Sequence, residues 1–244
     1  MSDEKRVILV VGAGDYIGAA ICRRFAREGF TVCMGRRNPD KLEPLASEVR
    51  ELGADAHPFK LDARSEEDIE LVFAEIEANI GPLDVVVFNI GGNVRSPIVE
   101  TSTRVFRKVW EMACLAGFLT GREAAKYMLP RGGGSIFFTG ATASMRGGST
   151  YSAFASAKFG LRALAQSLAR ELDPQGIHVA HLVIDAGVDT AWVRERLKER
   201  GIETIKDDML MNPDSVAEAY WYLYKQKRDA WTFELDIRPY AERW

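Results

Sequence analysis

Cysteine and histidine are both scarce in this sequence, with three residues of each among 244. The cysteines are too few and too scattered to suggest a disulfide framework, and neither residue type occurs at the spacing of metal ligands. The six residues are Cys22, Cys33, Cys114, His57, His178 and His181. The sequence therefore predicts a reduced, cytoplasmic protein without a metal site.

Long apolar runs and concentrated positive charge are also missing. No apolar stretch is long enough to cross a membrane, and the charged first residues do not resemble a secretory leader. The formal net charge is −3, and there is no basic block or aromatic-basic stripe that would contact a nucleic acid. We expect a protein that acts on a small molecule and has no membrane or nucleic-acid partner.

What the sequence does contain is a regular alternation of apolar, β-branched runs with apolar-periodic helical segments. Val7–Val11 is the first such run, and its unbroken apolar character is typical of a parallel strand buried on both faces. A hydrophobic content of 47% over this length suits one domain with a full core. The sequence predicts a single α/β domain over residues 1–244, with a Rossmann-type, doubly wound parallel sheet of about seven strands and helices on both faces.

The first predicted strand leads into a glycine-rich loop, which in turn leads into a helix. Glycine lets the backbone turn tightly and approach a pyrophosphate, and the unpaired amides at the start of a helix attract an anion. A loop at this junction predicts dinucleotide binding. The predicted cofactor contacts in the loop are Gly12, Gly14, Asp15, Tyr16, Ile17 and Gly18.

Two later segments extend this pattern. Asn89-Ile90-Gly91-Gly92 follows the fourth predicted strand, and residues 132–161 contain a glycine turn, a strand, a small-residue loop and a helix that carries Lys158. Taken in order with the glycine loop, these segments resemble the short-chain dehydrogenase/reductase family over nearly the whole chain. The resemblance implies an oxidoreductase that uses NAD(P)(H).

The resemblance also implies roles for residues beyond the glycine loop. Asp62 matches an aspartate that contacts adenine, and Asn89 matches an asparagine that steadies the central sheet. Gly91 matches a glycine that passes close to the cofactor. Lys158 and Thr190 match residues that contact the nicotinamide ribose and the carboxamide.

At the catalytic positions the sequence departs from the family. The family has a Tyr four residues before its Lys and a Ser about thirteen residues before that Tyr, where this chain has Phe154 and Ala141. The family's catalytic Asn corresponds to Ala113 in one register of the long central helix and to Cys114 in another. Phe cannot donate a proton, and Ala has no hydroxyl for a developing oxyanion. The chain is therefore identified as an atypical member that lacks the catalytic Ser, Tyr and Asn and retains Lys158.

The end of the second predicted strand bears on the choice of cofactor. A carboxylate there would accept the ribose hydroxyls of NAD, whereas an arginine pairs with the 2′-phosphate of NADP. Arg36 and Arg37 therefore favour NADP(H) over NAD(H). Asp15 favours the opposite choice, because NADP-preferring members often carry a basic residue at its place. The alternative is that the two arginines are solvated turn residues.

Three functions are compatible with these residues. The first is an atypical NADP(H)-dependent reductase of a carbonyl or an activated C=C. The second is an enoyl-thioester reductase, because six residues separate Tyr151 from Lys158, a spacing found in a divergent branch of the family. These two residues are the candidate catalytic pair, and on a continuous helix they would share a face with Phe154. The third is a catalytically silent dinucleotide-binding protein.

Two regions carry expectations about substrate and assembly. Residues 187–213 correspond to the family's substrate lid, whose basic residues either attract an acidic group or form a solvated helix face. The helices predicted over residues 103–129 and 150–172 form the subunit interface in most relatives, and the second has more apolar residues than one core face needs. We therefore expect a homodimer or homotetramer. Those apolar residues are Phe159, Leu164, Leu168 and Leu172.

Overall fold

One sheet of seven parallel strands runs through the computed structural model, which describes residues 6–202, 204–206 and 208–242. The strands are β1 (Val7–Val11), β2 (Thr31–Arg36), β3 (Ala56–Lys60), β4 (Leu83–Phe88), β5 (Gly134–Thr139), β6 (Ile177–Ile184) and β7 (Glu234–Ile237). Their spatial order is β3-β2-β1-β4-β5-β6-β7. The chain therefore reverses its direction of winding between β1 and β4, the point where open α/β sheets bind ligands.

Helices cover both faces of this sheet. In order along the chain they are α1 (Ile17–Ala26), α2 (Glu43–Glu51), α3 (Glu66–Asn79), α4 (Thr103–Trp110), α5 (Ala116–Met128), α6 (Ser152–Leu172), α7 (Ala191–Glu199) and α8 (Pro213–Tyr224). Helices α1, α2 and α8 pack on one face, and α3, α5 and α6 pack on the other. The predicted doubly wound parallel sheet is confirmed.

Local sequence explains where several elements begin. All five residues of β1 are fully buried, as its unbroken apolar run predicts. The Ser65 hydroxyl accepts a hydrogen bond from the Asp68 amide at 3.1 Å and starts α3. Asn212 caps α8 in the same way, and Pro213 takes the first helical position, where its missing N–H costs nothing.

The start of α6 differs from the prediction. Thr150 has a φ of 69°, and Tyr151 is the residue before the helix, with φ −112° and ψ 23°. The prediction that Tyr151 shares a helical face with Lys158 is therefore wrong, because α6 begins only at Ser152. The side chain of Tyr151 is held instead by contacts from other parts of the chain.

The long central helix is not continuous either. A π-helical turn, Glu111–Leu115, separates α4 from α5 and contains Ala113 and Cys114. Such turns are frequent at functional sites. Here both residues are buried in a small apolar cluster that also contains Phe154.

Candidate functional site

A deep cleft of about 1040 Å³ opens beside the carboxyl ends of β1, β4, β5 and β6. A smaller recess of about 260 Å³ adjoins it, and Gly12, Gly14, Asn89 and Gly91 line both. The other candidate residues that line the larger cleft are Asp15, Tyr16, Ile17, Gly18, Tyr151, Lys158 and Thr190. Arg36, Arg37 and Asp62 line the recess. The fold thus brings all the candidate residues to two adjoining cavities.

The glycine loop needs glycine at two positions for packing and leaves open space at a third. Gly12 has a φ of 91°, and a Cβ there would lie 2.6 Å from the Asn89 carbonyl oxygen. A Cβ on Gly18 would lie 2.6 Å from the Gly12 carbonyl oxygen. A Cβ on Gly14 would meet nothing within 4 Å. No side chain caps α1 at Tyr16, and the Ala19 amide donates to the Gly14 carbonyl at 2.9 Å, so the Ile17 and Gly18 amides are the ones available to an anion.

A chain of hydrogen bonds fixes the base of the cleft. The Asn89 side-chain amide donates to the Gly12 carbonyl at 3.1 Å, and the Thr139 hydroxyl donates to Asn89 Oδ1 at 3.1 Å. Because the Thr139 proton is used there, the Tyr220 hydroxyl, 2.6 Å away, is the donor to Thr139. Tyr220 is fully buried, and burial raises the pKa of its phenol. This network ties the glycine loop to β4, β5 and α8.

Lys158 is a buried amine on the wall of the cleft. Only 2% of the residue is exposed, and its ammonium donates to the carbonyls of Thr139 at 2.7 Å and Ile90 at 3.1 Å. Desolvation by burial lowers the pKa of this amine to about 7, although the nearby Cys114 acts in the opposite direction. An amine with such a pKa changes charge near neutral pH.

The wall beside Lys158 is apolar where the sequence places Phe154 and Ala141. Both residues line the cleft, and Phe154 is 8% exposed. The nearby Ser144 hydroxyl is fully buried and accepts a hydrogen bond from the Ala141 amide at 3.1 Å, so it serves the turn. At these two positions the wall offers neither a phenol nor a hydroxyl.

Tyr151 lies in the cleft but is held by arginines. Its hydroxyl accepts a long hydrogen bond of 3.4 Å from Arg196 on α7, and the Arg95 guanidinium is 6.0 Å from its ring centroid. The cation in contact with the Tyr151 phenol is therefore Arg196 rather than Lys158.

Tyr16 connects the glycine loop to the segment around α7. Its hydroxyl accepts a hydrogen bond of 3.1 Å from the Ala191 amide at the start of α7. The Thr190 hydroxyl caps the same helix by accepting from the Val193 amide at 3.1 Å. Tyr16 therefore fixes the side of the cleft formed by α7, a contact between residues 175 positions apart.

An ion pair between the exposed Arg146 and the buried Asp185 holds the loop after β5 against the end of β6. Asp185 is 2% exposed and receives two hydrogen bonds from Arg146, at 2.9 and 3.1 Å. Burial alone would raise the pKa of Asp185, but hydrogen bonds from Thr142 and Arg146 outweigh it and lower the pKa. Sequence reasoning missed this pair, as it missed Thr139 and Tyr220, because no local pattern relates such distant positions.

The recess carries its own ion pairs. Arg36 lies 2.7 Å from the Asp15 carboxylate, whose side chain is 69% exposed. Asp62 pairs with Arg64 at 2.5 Å, and the hydrogen bond from Arg64 is the main reason why the pKa of Asp62 is lowered. Any anion that binds Arg36 must compete with Asp15.

Neither a metal-binding cluster nor a membrane-spanning helix occurs in the described part of the chain. Residues 6–202, 204–206 and 208–242 contain no group of three or more His, Cys, Asp and Glu side chains placed to hold a metal ion. Within the same residues, no helix is both long and apolar enough to cross a membrane.

Several known proteins are similar to this chain in sequence and fold. Residues 6–201 match the family model described as short chain dehydrogenase. The chain is 31% identical to the uncharacterized oxidoreductase YuxG of Bacillus subtilis, over 93% of this chain and 36% of YuxG, so it spans about a third of that protein. It is 32% identical to YxjF, another uncharacterized oxidoreductase of Bacillus subtilis, over 80% of this chain and 76% of YxjF.

Solved structures give the same result. A short-chain dehydrogenase from Rhodopseudomonas palustris is 53% identical, with a TM-score of 0.83 over 96% of this chain and 99% of its own. An alcohol dehydrogenase from the archaeon Thermococcus sibiricus is 28% identical, with a TM-score of 0.85 over 98% and 99% of the two chains. From its sequence and its fold, the chain belongs to the short-chain dehydrogenase family.

Proposed function

We propose that this protein is an NADP(H)-dependent oxidoreductase that binds its dinucleotide across the cleft and the adjoining recess. The observation that carries the proposal is the pair of open glycines, Gly14 and Gly91, where a Cβ would meet nothing within 4 Å. Such space lets a pyrophosphate approach the backbone. The Thermococcus sibiricus relative was solved with 5-hydroxy-NADP, and a 26% identical actinorhodin polyketide ketoreductase was solved with NADPH.

The residues present fit a dinucleotide. The amides at the start of α1 would hold the pyrophosphate, and Asp62 would contact the adenine in the recess. Lys158 would donate to the nicotinamide ribose, and Thr190 would contact the carboxamide. When bound, the nicotinamide supplies or accepts a hydride.

Arg36 and Arg37 support a preference for NADP(H). Both line the recess, where a 2′-phosphate would add two negative charges to an arginine-rich surface. The Arg36–Asp15 ion pair opposes this preference, because the phosphate must displace the carboxylate. We expect NADPH to bind more tightly than NADH, by a margin that Asp15 reduces.

We further propose that catalysis is atypical. Phe154 and Ala141 on the cleft wall provide no proton donor and no oxyanion hydroxyl beside Lys158. Among the described residues, Tyr151 and Tyr16 are the phenols that line the cleft, and the Tyr16 hydroxyl is bound to the Ala191 amide, whereas the Tyr151 hydroxyl has only its long contact with Arg196. Such a phenol can hydrogen-bond an enolate, whose charge is less basic than that of an alkoxide. Activity should therefore favour activated C=C bonds over simple ketones, as in an enoyl-thioester reductase.

A catalytically silent dinucleotide-binding protein is the second candidate function. The buried cluster of Ala113, Cys114 and Phe154 favours it, because apolar side chains stand where a reductase would hold polar ones. Both functions assume one domain over residues 1–244 with a substrate lid over residues 187–213. Within these ranges, residues 1–5, 203, 207, 243 and 244 lie outside the described residues.

A homo-oligomer also forms part of the proposal. Leu164, Leu168 and Leu172 pack against the sheet, so of the four apolar residues noted on α6 Phe159 is the one left 41% exposed. Trp110 on α4 is 39% exposed, and its indole Nε1 lies 3.9 Å from where a Cβ on Gly160 of α6 would stand. Exposed aromatic side chains on two helices that pack together, α4 and α6, suit a self-complementary interface.

The experiment is NADPH oxidation at 340 nm with ketones and enoyl thioesters as acceptors. We expect turnover of enoyl thioesters, a loss on the order of a hundredfold in Tyr151→Phe, and the onset of ketone reduction in Phe154→Tyr. Tyr222→Phe, which removes an exposed hydroxyl from α8, is the matched control. Ready ketone reduction that Tyr151→Phe leaves unchanged would refute this mechanism, and no turnover with intact NADPH binding would favour the silent protein.

A further inference from the structure

The cleft wall formed by α7 and by the residues before α6 is rich in arginine and aromatic side chains. Arg146, Tyr151, Trp192, Arg196 and Arg200 all line the cleft there. None of them lines the recess, and none is among the residues assigned above to the dinucleotide, although the Tyr16 hydroxyl of the glycine loop contacts the start of α7. This wall is therefore available to the second reactant.

Arg196 differs from the other arginines of this region in its partners. Arg146 is bound by the buried Asp185 carboxylate, and Arg194 by the Asp189 carboxylate, with Nη2 to Oδ2 at 2.6 Å. For Arg196, no carboxylate oxygen is found within 4.0 Å among the described residues. Its guanidinium lies 4.9 Å from the Trp192 ring centroid, and an Nη2 is 3.4 Å from the Tyr151 hydroxyl.

Two aromatic side chains thus hold the Arg196 guanidinium in place without neutralising its charge. Arg200 follows one helical turn later, so it lies on the same side of α7 and adds a second positive charge to the cleft. Glu242 also lines the cleft and forms no ion pair with another described residue, and the two guanidiniums outnumber it. Asp15 also lines the cleft, but Arg36 pairs with it.

We propose that the small molecule bound in this cleft carries an anionic oxygen group, a carboxylate or a phosphate, that Arg196 recognises. This inference rests on the proposed function, in which the cleft binds a substrate beside the dinucleotide. A guanidinium can bind an oxyanion through two parallel N–H bonds, and stacking on Trp192 orients it before the ligand arrives. Arg200 supplies further attraction at longer range.

The test measures binding without turnover, by calorimetry with three small probes of similar shape. Benzoate represents a carboxylate, phenyl phosphate a phosphate, and benzamide the neutral counterpart. We expect at least one anion to bind wild type about tenfold or more tightly than benzamide, the effect of one charge-assisted hydrogen bond. Arg196→Met should abolish this preference while leaving benzamide binding unchanged, and Arg196→Lys should retain part of it.

Arg194→Met is the matched control, because it removes a guanidinium two residues away that Asp189 already neutralises. Equal binding of the three probes, including a failure of all three to bind, would overturn the proposal, as would an anion preference that survives Arg196→Met. NADPH titrated into the same samples separates the two proposals. An anion preference that depends on Arg196, in a protein that does not bind NADPH, would overturn the proposed function but support the anion site.

Discussion

Replacing Lys158 by methionine should change how the stability of the protein depends on pH. In the folded protein the pKa of this amine is about 7, because burial removes its hydration, whereas a lysine in an unfolded chain titrates near its ordinary value of about 10.4. Between these values the unfolded chain binds more protons than the folded protein. The free energy of unfolding must therefore rise with pH over that interval.

The size of the effect follows from the two pKa values. Burial of the Lys158 amine destabilises the folded protein to the full extent below pH 7 and no longer does so above about pH 10. At pH 9 part of this destabilisation is therefore relieved. Each pKa unit corresponds to about 1.4 kcal/mol, and partial titration near pH 7 reduces the first unit. We expect wild type to gain about 2 kcal/mol relative to Lys158→Met between pH 7 and pH 9.

Urea unfolding of both proteins at pH 7, 8 and 9, without nucleotide, measures this difference. Methionine fills similar space but removes the hydrogen bonds of Lys158 to the Thr139 and Ile90 carbonyls, which changes the free energy of unfolding at every pH. The diagnostic quantity is therefore how the difference in unfolding free energy between the two proteins changes with pH. Lys108→Met removes an exposed ammonium from α4 and controls for the loss of one lysine. Parallel curves for wild type and Lys158→Met would refute the reasoning, because they would mean that the buried amine keeps its proton.

Three further predictions concern other parts of the chain. Asp15→Asn should free Arg36 and tighten NADPH binding severalfold without affecting NADH in fluorescence titrations; equal changes for both nucleotides would contradict this. Trp110→Glu and Phe159→Glu should each convert an oligomer to monomers in light scattering, and a monomeric wild type would disprove the interface. Burial lowers the pKa of His181 to about 4, so the free energy of unfolding should fall by up to about 3 kcal/mol between pH 6.5 and pH 4. In urea titrations His181→Gln should make this decrease with falling pH smaller.

The fold was predictable because each element carries its own signal. The apolar run Val7–Val11 and the glycine loop after it identify a buried strand and a strand-to-helix junction from adjacent residues alone. Repetition of this alternation leaves few arrangements besides a doubly wound sheet. The interruption of the central helix at Glu111–Leu115 carries no such signal, because its residues suit an ordinary helix and packing selects the π turn.

The site was predictable only where the chain itself brings residues together. Tyr151 shows the limit, since its spacing from Lys158 suggests a shared helix, yet the left-handed Thr150 ends the loop and delays the helix to Ser152. The Tyr16 hydroxyl contacts the Ala191 amide across 175 residues, and Tyr220 contacts Thr139 across 81. Tertiary packing makes these contacts, so no local pattern could have identified them.

Calorimetric titration of NADPH tests the central claim, dinucleotide binding against the glycine loop, most directly. Gly14→Ala places a methyl group where the folded chain has open space, so the melting temperature should not change, while the pyrophosphate should lose its close approach to the backbone. Gly147→Ala is the matched control, because its Cβ also meets nothing within 4 Å and it does not line the cleft. We predict that wild type and Gly147→Ala bind one NADPH per chain and that Gly14→Ala binds at least about tenfold more weakly. Absence of NADPH and NADH binding in wild type, or undiminished affinity in Gly14→Ala, would contradict the account.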